Sequence, residues 1–160
     1  MLYGRRRPPI LFFFQSLYEI PPPPEISMPP RELIYELHLP AATPSNNAIK
    51  GMHFHAYKKL RNGWRASVLA AIGGKVPVAP IARSALEIER YCAGSLDWDN
   101  AYGGLKPLLD CLVAPSARNP DGLGLIEDDS PKFMPEAPHV FQLPAKRGAG
   151  YAVVRIYAVG

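Results

Sequence analysis

The sequence predicts an α+β domain: a small mixed β-sheet with helices packed on one face, in the order β-α-β-α-β-β. Three observations predict it. Residues 33–39 alternate between apolar and polar as a half-buried strand requires, and 138–144 and 151–159 also look like strands. Between Phe54 and Ile72 the apolar residues Tyr57, Leu60, Trp64, Val68 and Ala71 recur at three- and four-residue spacing, which lines one face of a helix. A length of 160 residues, 48% of them apolar, is enough for one domain with a real core.

Eight of the 19 prolines fall within the first thirty residues, including the run Pro21 to Pro24. Proline runs favour extended polyproline II and lack ladder donors, so residues 1–30 read as an arm ahead of a domain at 31–160. The opening "MLYGRRRPPILFFFQSLYEIPPPP" resembles a signal peptide in setting arginines before an apolar run. Pro8 and Pro9 interrupt that run, however, and no small-residue cleavage site follows. No stretch is long enough to cross a bilayer as a helix. Cys92 and Cys111 are too few for a disulfide framework and form no CxxC zinc pair, so both are expected as reduced, buried thiols. These features together predict a cytoplasmic protein.

The first strand is "LIYELHL" (33–39), and "ATPSNNAIKG" (42–51) is a loop rich in turn-forming Asn and Ser. The helix over Phe54–Ile72 ends at Gly73-Gly74. "PIARSALEIERYCAG" (80–94) reads as a long second strand that delivers the chain to Asp97. A helix over roughly 100–114 follows, with Asp99 as a good N-cap; alternatively "AYGG" is loop and the helix restarts with Pro107 as its first residue. After a Gly/Pro/Asn loop (115–124), the strands "PHVFQLP" (138–144) and "YAVVRIYAV" (151–159) are joined by the turn "AKRGAG".

Charge is segregated along the chain. No Asp or Glu occurs between Leu37 and Leu86, a span that carries Lys50, Lys58, Lys59, Arg61, Arg65, Lys75 and Arg83. Seven of the 14 acids then lie between Asp97 and Asp129. A basic footprint of this kind attracts polyanions in a salt-dependent way. A nest of carboxylates beside it points to phosphate chemistry, because gathered acids need a proton or a cation among them. Hard divalent ions such as Mg²⁺ suit such oxygen donors.

In extended chain, Asp97 and Asp99 would point to one side and Trp98 to the other. Other metal and phosphate patterns fail. An EF-hand loop from Asp97 would place Tyr102 and Leu108 where glycine and glutamate belong. "GGLK" lacks the full Walker spacing, and His53 and His55 have no third ligand.

The ordered set "DWDN", a lysine, "LLD", a loop and "IEDDS" resembles the RusA family of Holliday junction resolvases, in its longer phage-type form. "PSNNAIKGMHFHAYKKLRNGWRASV" (44–68) is similar to that family's Pro-Ser-x-Asn loop and basic helix. The resemblance covers about residues 33–158 and implies a RusA-like fold. It implies metal-binding aspartates at Asp97, Asp99 and Asp129, with Asp128 assisting. Lys106 would stabilise charge on the scissile phosphate, Asn100 would order the turn, and Asp110 would play a structural or supporting part. Asn46, Asn47, Lys50, Lys58, Lys59, Arg61 and Arg65 are the candidate DNA contacts.

In the family's shorter form the lysine stands about one helical turn nearer the aspartates. On one continuous helix, both spacings return to nearly the same face. Basic residues just before the first aspartate in that form are replaced here by "GSL" (94–96).

The function so implied is a Mg²⁺-dependent, structure-selective DNA endonuclease of recombination and repair, with Mn²⁺ a possible substitute. It would make paired nicks in four-way junctions as a homodimer, with no membrane partner and no small-molecule cofactor. One or two ions would activate water and stabilise the leaving oxygen. Two other readings are open. One is a branched-DNA-binding module of the same fold, weakly active or inactive because its lysine is displaced. The other is a metal-stabilised structural domain that ignores DNA.

Overall fold

A computed structural model of the protein describes residues 30–160. The arm expected over residues 1–30 therefore lies, apart from Pro30, outside the described residues. Eight elements follow in order: β1 (Arg31–Leu39), α1 (Asn46–Ile49), α2 (Phe54–Ala71), β2 (Ser84–Cys92), α3 (Trp98–Gly103), α4 (Lys106–Leu112), β3 (His139–Pro144) and β4 (Tyr151–Val159). They form an α+β fold around one four-stranded mixed sheet of order β1-β4-β2-β3. β4 runs antiparallel to both β1 and β2, whereas β3 lies parallel to β2.

The strand alternation explains the layering. Leu37, Val154, Ile88 and Val140 stand in register across all four strands and are buried. One register step away, Glu36, Arg155 and Glu87 form a polar row on the opposite face. There Arg155 reaches Glu36 at 2.8 Å and Glu89 at 2.7 Å. The apolar face is closed by Trp64 and Val68 of α2, Leu108 and Leu112 of α4, and Leu125 and Ile126 of the following loop. Tyr57 and Leu60 are half-buried, while Ala71 at the far end of the helix is exposed. Gly73 and Gly74, with φ of 71° and 76°, end α2 in the left-handed conformation that glycine adopts without strain.

Three expectations change. The single helix over 100–114 is two short ones, broken at Gly104-Leu105. The break lies where the Pro44 carbonyl packs so closely on Gly104 that any β-carbon there would collide with it. Pro107 is the second residue of α4 rather than its first. Secondly, β2 begins at Ser84, not 80. Ile81 instead makes an isolated bridge to Ile126, tying the segment before β2 to the loop after α4. Thirdly, both cysteines are free thiols, but only Cys111 is buried, and that burial pushes its pKa up to about 11.

β3 and β4 are consecutive strands joined by the expected turn, yet they are not neighbours in the sheet. β4 takes the interior place between β1 and β2, which matches its near-continuous apolar run.

The Leu108 side chain is fully buried between α4 and the sheet. Leu108→Ala is expected to lower stability by about 2–5 kcal/mol in urea denaturation. Val78→Ala, at a fully exposed position, is expected to change it by less than about 0.5 kcal/mol.

Candidate functional site

The site is assembled where the loop before α1 meets the chain entering α3. Arg90 projects inward from β2 and is 6% exposed. Its Nε donates to the Thr43 carbonyl at 2.9 Å, and its Nη1 donates to the Gly94 carbonyl at 3.0 Å. One guanidinium thus pins both segments. A second tie lies further along, where the Asn47 backbone N–H donates to Asn100 Oδ1 at 2.9 Å. Asn46 packs on Gly103 closely enough that a β-carbon at Gly103 would strike its side chain. Asn46 and Asn47 are therefore both committed, at least in part, to holding α1 on α3.

Asp97, not Asp99, is the N-cap of α3. Its Oδ1 accepts from the Asn100 backbone N–H at 2.9 Å and its Oδ2 from the Asn100 side-chain amide at 3.0 Å. These two bonds hold the Asp97 carboxyl below the usual carboxylate range. Asp99 lies in the first turn of α3, exposed. The extended geometry that would set both carboxylates on one side does not occur, because the helix already begins at Trp98. Residues two apart on a helix do not face each other.

Lys106 opens α4. Because the helices break before it, the wheel spacing from Asp99 does not place it; the packing of α4 does. Its Nζ lies 2.6 Å from Asp110 Oδ1 and 3.9 Å from Asp129 Oδ2. Burial works against its charge, but the Asp110 hydrogen bond and the fields of Asp110 and Asp129 outweigh it, so its pKa is raised. Asp128 accepts from the Ser130 hydroxyl at 2.6 Å. Lys106, Asp110, Glu127, Asp128, Asp129 and Arg118 are among the residues lining a cavity of about 520 Å³.

Lys50, Lys58 and Lys59 are exposed. Arg61 and Arg65, expected beside them on the same basic surface, are turned to the chain itself. Arg61 Nη2 donates to Asn119 Oδ1 at 2.6 Å, and Arg65 Nε donates to the Asp121 carbonyl at 3.1 Å. Both therefore fasten the loop after α4 onto α2. His53 caps the N-terminus of α2, and its ring stacks on that of His55.

Hard carboxylate oxygens are the right donors for Mg²⁺. Their placement is less complete than their chemistry. Among the described residues, no three His, Cys, Asp or Glu side chains group so as to hold one ion. The structure brings Lys106, Asp110 and Asp129 together, and it holds Asp97 on Asn100. The structural tie beside the site that sequence reasoning missed is Arg90. Its signal was an arginine following Leu86 and Ile88 at strand period, on the inward face.

Arg90→Met would leave the Thr43 and Gly94 carbonyls without their charged donor. The expected loss is about 1.5–3 kcal/mol per bond in thermal or urea unfolding. The backbone signals of residues 43–47 and 94–100 should move together in NMR spectra.

No protein-family model matches the chain, and no curated protein matches it closely enough to count as a relative.

Proposed function

We propose that this chain is a cytoplasmic, structure-selective DNA endonuclease of the RusA type, acting on four-way junctions as a homodimer and requiring Mg²⁺. One observation carries the reading. The Lys106 ammonium sits between Asp110 and Asp129, so the "LKPLLD" and "IEDDS" motifs, separated along the chain, meet at one cavity. Their order along the chain and the α+β architecture are both compatible with that family.

In this reading Asp97, Asp99 and Asp129, assisted by Asp128, would be the residues to hold the ion, although no three of them are grouped among the described residues. A bound divalent ion supplies an activated water and offsets charge on the leaving oxygen. The remaining roles belong to the chain's own side chains. Lys106 offsets the charge that develops on the scissile phosphate. Asn100 favours the ionised form of Asp97 by donating to both of its oxygens. Lys50, Lys58 and Lys59 hold backbone phosphates without reading sequence.

A second reading, a branched-DNA-binding module with feeble catalysis, is favoured by the 2.6 Å pair in which Asp110 already neutralises Lys106.

Cleavage of a synthetic four-way junction separates the two. With Mg²⁺ the wild type is expected to nick it in pairs, and EDTA to stop it. Alanine at Asp97, Asp99 or Asp129 should abolish nicking while binding persists, and Lys106→Ala should slow it about 10²–10³-fold. A wild type that binds junctions and never nicks them would establish the module instead. Binding that is absent, or indifferent to salt, would remove both readings.

A further inference from the structure

Asp110 faces three donors but bonds only one of them closely. Oδ1 accepts from Lys106 at 2.6 Å, while Oδ2 lies 3.5 Å from the Tyr57 hydroxyl and 4.0 Å from Arg61 Nε. That last distance is beyond hydrogen bonding. The Arg61 Nε–H is buried and meets no acceptor among the described residues. An unmet buried donor is destabilising, so its place beside a carboxylate needs a reason.

The two cations differ in freedom. Arg61 is anchored, because its Nη2 is bonded to Asn119, whose own amide donates to the Asp110 carbonyl at 2.6 Å. Lys106 has a side chain 59% exposed and a flexible stem. Asp110 itself is only 18% exposed. If Lys106 left it alone, a half-desolvated carboxylate would be stranded.

We infer that Arg61 is a positioning residue for Lys106. When a phosphate draws the Lys106 ammonium away, the Arg61 Nε–H closes onto Asp110 Oδ2 and keeps that carboxylate paired. The movement needed is about 1 Å, from 4.0 Å to ordinary N–H···O contact. Arg61 thereby lowers the cost of releasing Lys106 to substrate. The inference rests on Lys106 being the phosphate-facing cation.

NMR of the Arg61 Nε–H in the whole chain tests it. In Lys106→Met without DNA, the signal should move downfield and exchange more slowly than in wild type, because Asp110 is then left to Arg61. A four-way junction added to wild type in Ca²⁺ should cause the same change, and Asp110→Asn should abolish it. An unchanged signal in Lys106→Met overturns the inference. A change in that variant, with none on adding a junction that gel shift shows to be bound, supports the exchange at Asp110 and contradicts the phosphate-facing role of Lys106.

In cleavage assays Arg61→Gln should lower kcat by up to about 100-fold with KM unchanged, and should add nothing to Asp110→Asn. A raised KM with kcat intact would make Arg61 a DNA contact and overturn the proposal.

Discussion

Arg90 projects from an interior strand into the protein and spends its guanidinium on two backbone carbonyls, those of Thr43 and Gly94. Burying a cation this far is unfavourable unless its donors are met. Meeting them fixes the separation of two stretches of chain that no secondary structure joins. Three further contacts lie beside that junction. The Pro44 carbonyl lies against Gly104, Asn46 against Gly103, and the Asn47 N–H on Asn100. Beside these contacts α3 runs from Trp98 to Gly103, and α4 begins at Lys106.

The position of Lys106 is set by α4 and by the acidic loop that follows it. A continuous helix would have put Lys106 near the face carrying Asp99. Asp110 lies one turn further along α4 on the same face as Lys106, and Asp129 is brought in by the loop after α4. That loop is held by Arg61 through Asn119, by Arg65 through the Asp121 carbonyl, and by the Ile81–Ile126 and Val113–Ile126 bridges. A segment without regular structure can place a carboxylate beside a lysine only if its backbone is tied in this way. The basic helix therefore does two things: its arginines anchor the acidic loop, and its lysines face solvent.

The strands and the long helix were legible because alternation and helical periodicity report directly on which side is buried. Leu37, Ile88, Val140 and Val154 are the inward members of their strands, and Trp64 and Val68 are the inward members of α2. The sheet order was not legible, since nothing local in "YAVVRIYAV" says that its neighbours are β1 and β2 rather than β3. The helix break at Gly104 was half legible. Two glycines and a proline marked a weakness, but the close approach of the Pro44 carbonyl to Gly104, sixty residues away in sequence, was not readable. At the site, residue types and order were readable as motifs. The partners were not: that Asp97 would be taken by Asn100, or Arg61 by Asn119, depends on contacts that only the folded chain makes.

The proposed function requires acids far apart in sequence to serve one ion beside Lys106. Paramagnetic relaxation by Mn²⁺ tests it most directly. At substoichiometric Mn²⁺, the backbone amide signals of residues 97–99 and 128–129 should broaden together, at the same ion concentration, and Mg²⁺ should restore both. Broadening of one segment while the other stays sharp, or broadening that Mg²⁺ does not reverse, would contradict the claim.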